Sequence, residues 1–220
     1  MSGDELLDAY DRDGRHLGVK SRQAVHRDHD WHWLVFLWSA WLDSDGRMRM
    51  LLQRRARPED PFKDSLDALA GGHVLAGESH LQAARRELLE EVGLEPPESE
   101  LVYLGQRRLE RPTSECRRVE QHFYLWNRAV DLMAGNFSDE VSGLVEVDLK
   151  ELARLLDGDT DQLTGRSRLA SSPQEVREIH ITSAVFSAYP EPILDVFRRS
   201  FRAVRSFLAE ERVDAAVWRD

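Results

Sequence analysis

Residues 72–94 read GHVLAGESHLQAARRELLEEVGL, and the spacing inside that stretch decides how the rest of the chain is read. Gly71 and Gly72 close one element, and Gly77 opens a loop before Glu78. Beyond Glu78 the period becomes that of a helix. Leu81, Ala84, Leu88 and Val92 fall at i, i+3, i+7 and i+11, an apolar stripe suited to lying on a sheet. Glu87, Glu90 and Glu91 share a different side, because residues three and four apart on a helix are neighbours. Gly93 supplies the left-handed residue on which helices end. Carboxylates crowded on one face repel one another when ionised, and a cation among them relieves the repulsion. Hard oxygen ligands suit Mg2+, which keeps several waters and also takes phosphate oxygens; Mn2+ accepts the same ligands. Arg86, one turn before Glu90, can pair with it and steer or neutralise that carboxylate. A solvated acidic face would account for three glutamates alone. It does not account for Gly72, Glu78, Arg86 and Gly93 at fixed offsets from them.

Taken together the stretch has the form G-x5-E-x7-R-E-U-x-E-E-x-G-U, with U a bulky aliphatic residue and every fixed position filled. In this it resembles the Nudix family. The resemblance implies an α/β fold, the Nudix α/β/α sandwich around a mixed sheet, over about residues 30–160. It also implies a loop–helix–loop that binds divalent metal and cleaves a diphosphate linked to another moiety. On this reading Glu87 and Glu91 hold Mg2+, with Glu90 and the Gly72 carbonyl completing the set. Glu90 or Glu120 serves as general base, and Glu140 is a further candidate. Arg86 stands beside them, and Glu78 pairs with Arg86 as scaffold. Arg54, Arg55 and Arg57, in QRRARPED, are candidates to meet substrate phosphates, against a reading as solvated loop charge.

Composition sets bounds around that centre. The chain has 220 residues, 41% hydrophobic, enough for one large domain or one domain with additions. A formal charge of −10 argues against a nucleic-acid polymer as the main partner, though phosphates can still be met through metal and local arginines; the small-molecule diphosphate partner is what the resemblance implies. The single cysteine, Cys116, excludes an intrachain disulfide and suits a reducing compartment. No apolar run approaches membrane-spanning length, and the first residues, MSGDELLDAYDRDG, lack a signal-peptide pattern. A cytoplasmic location is expected; oligomeric state is not legible.

In chain order, Leu6–Tyr10 and His16–Val19 read as a hairpin, and Ser21 as the cap of a short helix to Arg27. The run 31–42 is apolar on both alternations: Trp31, Trp33, Val35 and Leu37 on one face, Leu34, Phe36, Trp38 and Ala40 on the other. It therefore predicts a strand covered on both sides. Further strands are expected at Met48–Arg54, Leu101–Leu109, Val119–Trp126 and Val141–Val147, with a loop at Arg111–Glu115 and a helix at Leu149–Leu156. Residues 157–172, rich in Gly, Asp, Ser and Arg, are expected to be weakly ordered, and 173–188 partly helical. A helix is expected over 190–210, packed on the body. This divides the chain into an N-terminal hairpin extension (1–29), the Nudix domain (30–160) and a C-terminal helical extension (161–220).

A second resemblance is broader. The segments HWLVFLWSAWLDSDGRMRMLLQRRA and LDALAGGHVLAGES are similar to the isopentenyl diphosphate isomerase-like branch of the family. That branch implies metal or substrate contacts at His32 and His73, with His26 matching after a one-residue shift. Of its later glutamate pair, Glu120 is present and the other position is Arg118. The cysteine that isomerases carry before the Gly-His is Gly71 here, and the motif glutamates are intact. The expectation is therefore a hydrolase, with isomerase activity as the alternative and a noncatalytic binding module third.

Overall fold

A computed structural model describes residues 5–110 and 118–219; Cys116 and the loop expected at 111–115 lie outside the described residues. The chain opens with the hairpin β1 (Leu6–Tyr10) and β2 (His16–Ser21). Its turn is closed by Asp11, whose Oδ1 accepts from the backbone N–H groups of Asp13 and Arg15. Helix α1 (Arg22–Asp28) starts at Ser21, whose hydroxyl accepts from the Ala24 N–H at 3.3 Å. The long strand β3 (Trp31–Leu42) follows, then β4 (Met48–Arg55), the two-residue β5 (Leu66–Asp67) and β6 (Ala70–His73). The motif helix α2 spans His80–Val92. Next come β7 (Leu101–Glu110), β8 (Arg118–Trp126), β9 (Val141–Asp148) and α3 (Leu149–Asp157). The chain then forms β10 (Gln162–Leu169), β11 (Val176–Thr182) and α4 (Glu191–Glu210), with a short 3-10 turn at Ala215–Trp218.

All strands join one mixed sheet centred on β3. Strand β8 runs parallel along one edge of β3, with β7 outside it. Along the other edge, β6 and β4 pair antiparallel with successive parts of β3, and β9, β10 and β11 continue outward from β4. The alternation read in β3 is the alternation of the layers. Val35 and Leu37 join a core with Leu51, Leu144 and Tyr124 beneath Ala84, Leu88 and Val92 of α2. Trp38 and Ala40 face the opposite layer, with Met50, Leu52, Phe123, Leu152 of α3 and Phe197 and Phe201 of α4. The result is the expected α/β/α sandwich. A small third cluster, Leu7, Ala9 and Val25 with Leu75, packs the hairpin and α1 against the loop that precedes α2.

Residues 157–188 correct the sequence reading. Gln162–Leu169 and Val176–Thr182 form an antiparallel hairpin paired to β9, so these residues are strand rather than weakly ordered or helical; of the partial helix expected over 173–188, the 3-10 turn Ser183–Phe186 forms. In β10 the inward positions include Leu163, Gly165 and Ser167, so burial alternates while hydrophobicity hardly does. Gly165 has a physical reason: a Cβ there would lie 2.9 Å from the Glu146 carbonyl oxygen. The helix expected at the end of the chain is α4, and it does pack on the body. No helix among the described residues is long and apolar enough to cross a membrane.

Candidate active site

Helix α2 is set at both ends by its own sequence. Ser79 and Gln82 form a reciprocal capping box at its start, and Gly93, at φ 73°, turns the chain away at its end. Between them the buried stripe fixes the helix rotation, so the glutamates face β6 and β4. Glu91 is buried, 5% exposed. Its Oε2 accepts from Gln53 Nε2 at 3.0 Å and from the Gly71 N–H at 3.2 Å. Glu87 lies against Gly72, where a Cβ would come within 2.1 Å of Glu87 Oε1. Only a residue without a side chain lets that carboxylate approach the strand.

Arg86 ties this cluster to the loop before it. Its Nε and Nη2 donate to the two oxygens of Glu78 at 3.0 and 3.1 Å, and Nη2 also donates to the His73 carbonyl at 2.8 Å. Nη1 donates to Glu87 Oε1 at 2.9 Å and Glu90 Oε2 at 3.1 Å. Glu78 in turn accepts from the Leu75 N–H at 3.0 Å. The motif's arginine is thereby fully engaged in holding β6, loop and helix together.

Charge accumulates where solvent is excluded. Burial pushes Glu87 up to about 7, against the pull of Arg86 and with help from Glu90 and Glu140. Burial pushes Glu91 well above the usual carboxylate range, with Glu87 and Glu140 adding to the effect. Glu140 is raised too, chiefly by burial. A group of carboxylates that resists full ionisation has one sign of charge in excess, and a divalent cation supplies the other. Hard oxygen donors and a glycine cradle fit such an ion, so Glu87, Glu91, exposed Glu90 and the Gly72 carbonyl are the residues that could hold it.

The other sequence candidates are distributed more widely. Glu120 is on β8, across β3 from the strand that carries Gly72. Its partners there are Arg108 at 3.7 Å and His122 at 3.5 Å. The outlying carboxylate that influences Glu87 and Glu91 is Glu140, whose side chain is paired with Arg57. Arg55 is committed to a buried network: it donates to Asp60 Oδ2 at 2.6 Å and Asp67 Oδ2 at 2.9 Å, and Asp67 also accepts from the Tyr189 hydroxyl at 3.0 Å. Arg54 has a buried Nε with no acceptor among the described residues. His32 and His73 do come together, with His26 from α1, so that one ring nitrogen of each lies within 4.8 Å of the others, a cluster able to hold a metal ion. Glu5 Oε2 stands 3.3 Å from His73 Nδ1, and that contact draws Glu5 down to about 2.

One site residue escaped the sequence reading. Gln53 sits two positions after Leu51 on the face beneath α2, and a polar residue inside an apolar strand was the available signal.

Compared with known proteins, residues 14–165 match the NUDIX domain family. An uncharacterised Nudix hydrolase of Clostridium acetobutylicum is 31% identical over 161 residues, which covers 72% of this chain and 77% of that protein. Nudix hydrolase 3 of Arabidopsis thaliana is 36% identical over 95 residues, 43% of this chain but 12% of that protein. Among solved structures, DR0079 from Deinococcus radiodurans superposes with a TM-score of 0.52 at 21% identity, covering 70% of this chain and 90% of that one, which is a likeness of fold.

Proposed function

The chain belongs to the Nudix family of hydrolases acting on pyrophosphate bonds, and from that premise we propose a Mg2+-dependent enzyme that cleaves the phosphoanhydride of a nucleoside diphosphate-type or related small-molecule diphosphate. The observation that carries the reading is the pair Glu87, half-buried against Gly72, and Glu91, buried beside the Gly71 N–H, which act electrostatically on one another and whose acidity is suppressed chiefly by burial. A divalent cation, when bound, neutralises phosphate oxygens and favours attack by water. Glu87, Glu91, Glu90 and the Gly72 carbonyl would hold it; Mn2+ is the alternative ion. Gln53 and the Gly71 N–H fix the rotation of the Glu91 carboxylate. Arg86 keeps Glu87 and the Gly72–Glu78 loop in one frame.

The proton of the attacking water would go to Glu90, which is mostly exposed and, among the described residues, engaged through Oε2 alone. Glu140 is the second candidate, favoured over Glu120 because it acts electrostatically on Glu87 and Glu91. Of the arginines read as phosphate contacts, Arg54 is retained, since Arg55 is committed to Asp60 and Asp67. His32 and His73, with His26, form a second place for a cation beside the motif glycine. Isomerase chemistry is disfavoured. It asks for a thiol at residue 71, where a Cβ would meet the Val35 carbonyl oxygen at 2.9 Å.

The test is a phosphate-release screen of nucleoside diphosphates and triphosphates, sugar nucleotides, dinucleotides and isoprenoid diphosphates with Mg2+ and with Mn2+. Release from none of them would end the proposal. Glu91→Gln keeps the shape and an oxygen to accept from Gln53 and the Gly71 N–H, so it should melt close to the parent. Hydrolysis should fall at least by the roughly 10–100-fold that losing support of a metal ligand costs. Unchanged turnover would take Glu91 out of the site.

A further inference from the structure

Arg168 has no role in the site as described, and its surroundings are unusual for a cation. It is 3% exposed. No carboxylate of the described residues lies within ion-pair distance of it. Among the described residues its side chain makes one hydrogen bond, from Nη2 to the Gly135 carbonyl at 3.1 Å, and its guanidinium lies 4.3 Å from the centre of the Phe137 ring. Its Nε is buried with no acceptor among the described residues. Burial lowers its basicity, and Asp131 only partly offsets this. A buried cation held so sparingly is costly to keep.

The loop it grips explains where that cost is spent. Residues 135–138 are bonded on their other side to the catalytic helix: the Asn136 N–H donates to the Val92 carbonyl at 2.8 Å, and the Ser138 N–H donates to the Glu91 carbonyl at 3.0 Å. The fit is close, since a Cβ on Gly135 would come within 2.2 Å of the Val92 carbonyl oxygen. Those carbonyls have no partner inside the helix and form the negative end of α2; the loop supplies their donors, and nearby positive charge is favourable there. Strand register carries the same link through the sheet. Arg168 pairs with Leu144, Leu144 pairs with Gln53, and Gln53 donates to Glu91. The loop and the sheet row thus join Arg168 to Glu91 from two directions. Arg168 lies on β10, a strand that begins inside the segment matching the family and ends just beyond it.

We propose that Arg168 is a positioning residue for the catalytic helix, clamping loop 135–138 onto the Glu91 and Val92 carbonyls and so fixing the Glu91 carboxylate. This rests on the hydrolase reading above for its effect on activity, but not for the clamp itself. The test combines amide hydrogen exchange with Mn2+ titration on the full chain. Arg168→Met keeps the bulk and removes the charge. Protection of the Asn136 and Ser138 amides should fall about tenfold, the equivalent of one lost hydrogen bond, while that of Leu88 in mid-helix stays unchanged. Mn2+ affinity should fall by roughly 10–100-fold, with Arg168→Lys intermediate.

A uniform loss of protection along α2 would mean a merely structural residue and overturn the proposal. So would unchanged protection at Asn136 and Ser138, or unchanged Mn2+ affinity in a chain that binds the ion. Should Arg168→Met fail to fold, Phe137→Leu removes the ring under the cation and must reproduce the local loss. A wild-type chain that binds no Mn2+ would sink the hydrolase reading and leave the clamp to be judged on amide protection alone.

Discussion

At the scale of single residues, the absent side chain of Gly72 matters as much as the carboxylate beside it. Gly72→Ala would place a methyl 2.1 Å from where Glu87 Oε1 now lies. The carboxylate, at the end of a flexible side chain, would swing away. The expected result is near-parental melting with hydrolysis reduced roughly 10–100-fold, read as kcat/KM beside a Mn2+ titration. A second residue sets a pH response. His122 is buried and stacked on His80 at 4.3 Å, and burial draws it down to about 4 from 6.5. Below pH 6.5 the unfolded chain takes up a proton that the folded chain refuses until about pH 4. Stability therefore falls as pH drops through that window, by roughly 3 kcal/mol from this group, and levels below it. Denaturant titrations across pH should show a shallower fall for His122→Gln than for the parent. The motif residues were legible because their chemistry depends on fixed spacing along one helix. His122 and Gln53 were not, because what makes them significant is which strand lies beside them.

At the scale of elements, legibility followed the source of each element's stability. Helix α2 announces itself through Ser79, Gln82 and Gly93, which act within a few residues of one another. Strand β3 does so through apolar residues on both alternations. Strand β10 does not, because its inward side is packed with Gly165 and Ser167 and it is held by pairing to β9 rather than by its own side chains. The 3-10 turn at Ala215–Trp218 is similar: four residues with no periodicity, held by the Asp214 cap, by Arg199, which donates to the Val217 carbonyl at 2.8 Å, and by where the Trp218 ring lands. That ring stacks on Phe123 at 4.0 Å, donates from Nε1 to the Leu104 carbonyl at 2.8 Å, and covers Gly105, where a Cβ would lie 2.5 Å from it. Trp218→Ala should cost about 3–5 kcal/mol in chemical denaturation, and Trp218→Phe less.

At the scale of the whole molecule, the sheet separates two kinds of work. The α2 side carries the acidic cluster and a core drawn mostly from the segment that matches the family. The other side draws its core from both ends of the sequence, Trp38 and Met50 with Phe197, Phe201 and Trp218. The sandwich was readable from the chain because strands flank the motif helix and helices follow them. The joining of the final third was not, because β10 pairs with β9 through residues that show little alternation, and because the far layer brings Phe197 and Phe201 onto Trp38 from more than a hundred positions away. Those contacts have a consequence for biosynthesis. A ribosome that has delivered the motif helix has not yet delivered Phe197, Phe201 or Trp218. Until it has, Trp38 and Phe123 face water on an open apolar surface. Closing the far layer is thus a late event in the life of each nascent polypeptide, and the interval before it is when chaperones would find the most to hold.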